Sequence, residues 1–202
     1  MPFTPYHWGP GSGIGMIFLK FFDFPTLFIT SVIVDLEPLC VLVFNLNYPL
    51  HGFFHSFLGG SILAVLTASV VYFLRKFIQR IMAVFKLKQD TSFKKILWTA
   101  FFGIYLHIIL DSFLYTDIKP FYPLDVNPFY GLFSTVQINY FCLLLMGVGV
   151  ILYLVRLFFL KDKIKSPKDK KAKIFALIII FLLVIIAIIS IYLIQFAIST
   201  LP

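Results

Sequence analysis

Apolar residues run in blocks too long for soluble helices, and short polar interruptions divide them. The blocks are about Ser12–Phe22, Phe24–Asn45, Ser56–Leu74, Ile96–Tyr115, Leu132–Leu160 and Ile174–Ile198. Within each block apolar positions recur on every face rather than alternating with polar ones. Such a pattern predicts helices surrounded by lipid, since about 20 apolar residues suffice to cross a bilayer. The first block is short of that length. The second is broken by Asp35-Leu36-Glu37-Pro38, where Pro38 removes a backbone donor and disfavours helix at Glu37. The pattern therefore predicts an all-α, polytopic integral membrane protein with about five or six transmembrane helices, the first short and the second broken at Asp35–Pro38.

Composition agrees with this picture. Of the 202 residues, 60% are hydrophobic and only 13% charged, and the mean hydropathy is +0.98. No soluble domain of this length hides so much apolar surface. The chain reads as one membrane domain, residues 1–202, in which residues 1–131 carry the candidate chemistry and residues 132–202 add two transmembrane helices. The final block, Ile174–Ile198, has no polar group suited to chemistry. No basic n-region or small-residue cleavage site marks the start, so the N-terminal segment is expected to be retained.

The net charge of +8 would suit a nucleic-acid binder, but its placement argues for a membrane. All lysines and arginines except Lys20 and Lys119 fall in Arg75–Lys95 or Arg156–Lys173. Basic blocks between apolar runs mark cytoplasmic loops by the positive-inside rule. With both blocks in the cytoplasm, the Asn45–His55 connection, the Asp117–Gly131 loop and both termini fall outside. Every histidine then lies toward the extracytoplasmic side. Cys40 and Cys142 sit in apolar runs and offer no paired-cysteine motif.

The four histidines are His7, His51, His55 and His107. His51 and His55 are spaced i,i+4, as are His107 and Asp111, a spacing that puts both side chains on one helical face. Asp35 and Glu37, the chain's single glutamate, flank the break in the second block, and Asp117 follows the fourth. Ionisable groups inside a membrane cost about 2.5–3.5 kcal/mol each at mid-depth on an insertion scale, so a set of them needs a common compensating partner. Neutral imidazole nitrogen and carboxylate oxygen suit a divalent ion. Zn²⁺ leads the candidates, with room for one or two ions. Glu37 and Asp117 are the candidate catalytic bases.

Four features occur in one order: Met-Pro-Phe-Thr-Pro-Tyr-His-Trp-Gly-Pro-Gly at residues 1–11, Asp35-Leu36-Glu37-Pro38, His51-Gly52-Phe53-Phe54-His55-Ser56 and the His107-xxx-Asp111 helix. In these the chain resembles the YdjM-like family of inner-membrane metal-dependent hydrolases, over about Met1–Tyr130. The family's second block commonly carries arginine between histidine and glycine. Here Gly52 follows His51 directly, so an anion-clamping arginine is absent from that position. The resemblance implies His7, Asp35, His51, His55, His107 and Asp111 as metal ligands. It implies a metal-dependent hydrolase at the extracytoplasmic face, acting on a phosphoester or a lipid head group. The competing expectation is a non-catalytic subunit of a larger membrane complex, with a structural metal or polar site and partner membrane subunits.

Overall fold

The computed structural model describes residues 4–159, and among these every regular element is helical. A 3-10 turn at Thr4–His7 leads into α1 (Trp8–Ile17). Then follow α2 (Phe24–Thr30), α3 (Leu36–Val43), α4 (Phe57–Val84), α5 (Phe93–Ser112) and α6 (Thr135–Phe159). Among the described residues four segments are long and apolar enough to cross a membrane: Phe24–Val43, Phe57–Val84, Phe93–Ser112 and Thr135–Leu157. The protein is an all-α, polytopic membrane protein. The basic loop Lys161–Lys173 and the final block Ile174–Ile198 lie outside the described residues.

Local chemistry sets the helix starts. Asp23, Ser56 and Ser92 each turn a side-chain oxygen onto a backbone N–H of the first turn, of Thr26, Gly59 and Lys95 respectively. These N-caps satisfy donors that a helix leaves without partners. The basic stretch after Leu74 does not end α4, which runs on to Val84. Arg75 bonds the Tyr72 carbonyl and lies over the Tyr72 ring, so its charge is partly accommodated by these contacts.

Helix α1 begins earlier than the Ser12 start that its Pro/Gly-rich sequence suggests. Pro10 sits in the first turn, where a missing N–H costs nothing. The glycines are required by close packing. A Cβ on Gly9 would lie 1.9 Å from the Cys142 carbonyl oxygen, and one on Gly13 would lie 2.5 Å from that of Leu145. Small residues spaced by four thus let α1 and α6 touch backbone to backbone, the usual means of close helix association in lipid. Between α4 and α5, Ala64, Ala68 and Val71 pack against Ile96, Ala100, Ile104 and Ile108 in the main core.

The break in the second apolar block falls slightly before its expected position. Helix α2 ends at Thr30, a 3-10 turn covers Ile33–Asp35, and α3 restarts at Leu36. Pro38 therefore occupies the first turn of α3 rather than interrupting a helix. This shift has a chemical consequence, because it leaves the Ser31 carbonyl outside the helical ladder.

Candidate metal centre

The site is built from four segments that meet at one end of the bundle. Helix α5 supplies His107 and Asp111 from successive turns near its C-terminal end. The turn before α3 supplies Asp35. The 3-10 turn Phe53–His55, just ahead of α4, supplies His55. His7 enters from the turn that precedes α1. Asp35, His55, His107 and Asp111 each bring one ligand-type atom into a set lying within 4.8 Å of one another. His55, His107 and Asp111 are buried, and Asp35 nearly so.

The imidazoles are aimed by their far nitrogens. His107 Nδ1 donates to the Ser31 carbonyl at 2.8 Å, which fixes the tautomer and turns Nε2 inward. His55 Nδ1 donates to Glu37 Oε2, also at 2.8 Å, with the same result. Glu37 is itself held, because Gly52 N–H bonds Oε2 and Phe54 N–H bonds Oε1, both at 3.1 Å. Histidines that ligate a metal usually have such a partner on the outer nitrogen. Burial pushes the His55 imidazole below its ordinary range, and the Glu37 hydrogen bond only partly offsets this. The neutral ring is the form that binds a metal. Asp35 stands at the N-cap of α3 without capping it, and its carboxylate faces His107 instead.

The inward atoms are close together but badly placed for hydrogen bonds with one another. His107 Nε2 lies 3.3 Å from Asp111 Oδ2 and 3.4 Å from Asp35 Oδ1, and His55 Nε2 lies 3.9 Å from Asp111 Oδ2. Both Nε2 atoms are buried and have no hydrogen-bond partner. Zinc bonds to nitrogen and oxygen of about 2.0–2.1 Å in a tetrahedron place neighbouring ligand atoms about 3.3–3.4 Å apart. Each edge then departs by about 35° from the nitrogen–metal direction, too far for a straight N–H···O bond. The two distances around His107 Nε2 match such edges, the 3.9 Å from His55 Nε2 and the 4.8 Å spread of the set are wider, and the group is one that could bind a metal ion.

The remaining expected site residues lie around this group. His7 Nε2 is 3.1 Å from Asp111 Oδ1, and its ring lies 4.2 Å from that of His107. His51 stands outside the four-residue group, its ring 4.8 Å from that of His55. Its Nδ1 is 3.0 Å from both Asp117 oxygens. The Tyr115 ring lies against that of His51, centroids 4.2 Å apart and planes tilted by 30°. Burial raises the Tyr115 hydroxyl above its ordinary range, and the charges of Asp111, Asp35 and Asp117 add to this, so it stays a proton-bearing donor. Glu37 and Asp117 thus occupy equivalent places, each on the outer nitrogen of a histidine.

Sequence reasoning missed the Ser31 carbonyl and Tyr115. A backbone acceptor leaves no mark on residue identity, and only the end of α2 at Thr30 hinted at a free carbonyl. Tyr115 enters the sequence reading only as the end of the fourth apolar block, and its contact with the His51 ring depends on packing.

The family model of the YdjM inner membrane protein matches residues 7–194. This chain belongs to the YdjM family. The match runs well past Tyr130, so the last two apolar blocks, which carry none of the short motifs, also share the YdjM pattern. No curated protein and no solved structure matches the chain.

Proposed function

We propose that the protein is a membrane-bound, metal-dependent hydrolase whose site opens at the extracytoplasmic face, with Zn²⁺ as its ion and a phosphoester of a lipid head group as its substrate. The observation that carries this reading is the convergence of Asp35, His55, His107 and Asp111 with unpartnered inward atoms, at the end of α5 opposite Lys94 and Lys95. A zinc ion held by these residues would supply Lewis acidity and lower the pKa of a water bound to it to about 7.

The chain's own residues supply the rest. His55 and His107 keep their Nε2 atoms inward because Glu37 and the Ser31 carbonyl hold the opposite nitrogens. Asp117 fixes His51, whose Nε2 makes no hydrogen bond among the described residues and whose ring lies 4.8 Å from that of His55. We assign proton handling during bond cleavage to the His51–Asp117 pair, and to Glu37 the orientation of His55. To the phenol of Tyr115, kept protonated, we assign donation to an anionic substrate oxygen.

Two segments bordering the cluster support a lipid substrate. Between Asp35 and His51 the chain exposes Leu36, Leu39, Leu42, Val43, Phe44 and Leu46, and the loop after Asp117 exposes Phe121, Tyr122, Leu124 and Val126. Apolar and aromatic side chains at this level suit the headgroup–acyl boundary. A substrate lying in the leaflet then reaches the site without leaving the membrane.

The test is hydrolysis by the purified chain of phospholipids and lipid-linked phosphoesters in mixed micelles. Chelation is expected to abolish turnover and added Zn²⁺ to restore it, while His107→Ala stays inactive. Turnover insensitive to chelator would overturn the metal dependence, and no turnover across the panel with metal bound would overturn the hydrolase reading in favour of a non-catalytic membrane subunit.

A further inference from the structure

We propose that the cluster holds two divalent cations rather than one, with the Asp111 carboxylate bridging them and His7 serving the second. This rests on the metal-centre reading above and extends it. The argument counts buried atoms. One ion takes a single atom from each of Asp35, His55, His107 and Asp111. Asp111 Oδ2 is the oxygen facing His55 and His107. Asp111 Oδ1 faces the other way, toward His7 Nε2 at 3.1 Å.

Both of those left-over atoms are buried and make no hydrogen bond. His7 is 2% exposed and Asp111 1% exposed, so water does not satisfy them from outside. Leaving a polar atom buried without a partner costs about 1–3 kcal/mol. Asp35 adds a third such atom. Its Oδ1 faces His107, while its Oδ2 is buried and unpartnered. The His107 ring that Asp35 faces also lies against His7. His7 Nε2 and Asp111 Oδ1, 3.1 Å apart, are therefore a left-over imidazole nitrogen and carboxylate oxygen, and Asp35 Oδ2 is a further unpartnered oxygen of the same cluster. That donor set suits a second divalent ion completed by water or substrate. Paired ions about 3.5–4 Å apart, bridged by carboxylate, clamp phosphoester oxygens from both sides.

The structure also explains why His7 reaches the site. Helix α1 is pinned against α6 through Gly9 and Gly13, and His7 sits directly ahead of it. The turn before α1 is thereby held over the C-terminal end of α5, where Asp111 lies.

Metal analysis of the full chain in detergent, stripped and reloaded with Zn²⁺ or Mn²⁺, tests this. Two ions per chain are expected for the wild type and one for His7→Gln. With Mn²⁺, low-temperature electron paramagnetic resonance should give an exchange-coupled pair in the wild type and an isolated-ion signal in His7→Gln. One ion per wild-type chain with an isolated signal overturns the second site while leaving the first intact. Two ions retained by a folded His7→Gln protein overturn the role of His7. No bound ion in the wild type overturns the metal centre itself. The wild-type measurements decide the stoichiometry even if His7→Gln does not fold.

Discussion

The interface of α2 and α5 is polar and buried at both ends, but the two ends use their polar groups differently. At the end near Lys95, Asp23 caps α2 and its N–H bonds Thr99 Oγ1. Gln89 Oε1 accepts from the Phe24 N–H at 2.7 Å, its Nε2 donates to the Leu19 and Phe22 carbonyls, and its own N–H bonds Gln79 Oε1. Of the fully buried side-chain atoms in this network only Asp23 Oδ1 lacks a partner. At the other end, outer nitrogens and inner atoms part company. Every outer Nδ1 of His51, His55 and His107 is engaged, yet the inward atoms of His7, Asp35, His55, His107 and Asp111 include several with none. A closed network holds a fold together. An open one with its members already aimed is prepared for a ligand, and the cost of leaving it open is borne by the rest of the structure.

Several substitutions would break or sharpen this contrast. The largest effect is expected from Asp111→Ala, since three imidazoles face that carboxylate. Metal content should fall to background, beyond the ~10–100-fold that loss of an outer partner costs. Retained stoichiometric metal would place the ion elsewhere. Glu37→Gln comes next. The amide can accept only through one of its two terminal atoms, so the support of His55, Gly52 and Phe54 weakens, and metal affinity should drop about 10–100-fold in competition with a chelating dye. An unchanged affinity would show that His55 is not held through Glu37.

Gln89→Ala should act in the opposite sense. It leaves the Phe24 N–H and the Phe22 carbonyl without a partner and the Leu19 carbonyl with only Lys95 Nζ at 3.4 Å, and should lower stability by about 1–3 kcal/mol in denaturant or thermal unfolding, with metal per folded chain unchanged. Loss of metal in that variant would erase the distinction between the two ends. Asp117→Asn is the mildest. Asparagine can still accept from His51 Nδ1, so metal content should stay at the wild-type level while turnover falls. A fall in metal content instead would make His51 a ligand.

The helical, membrane-spanning character was legible from the apolar blocks, because length and hydropathy alone dictate it. The participation of Asp35, His55, His107 and Asp111 in one cluster was suggested by their cost in lipid and by motif order. The His107–Asp111 spacing gave one face of it directly. Other details depended on packing and not on identity. The early start of α1 follows from its glycine contacts with α6, which no local propensity reports. The position of the α2 break depends on Pro38 being tolerated in a first turn, which moved the free carbonyl back to Ser31. The saturated Gln89 network was invisible because its partners are backbone groups far away in sequence.

The central claim is that the open cluster is a metal centre and the closed network is scaffold. The most direct measurement is elemental analysis of the full-length chain purified in detergent without added metal, alongside His107→Ala and Gln89→Ala. The account predicts stoichiometric divalent metal in the wild type and in folded Gln89→Ala, and none in His107→Ala. A metal-free wild type, or a His107→Ala protein that keeps its full complement, would contradict it.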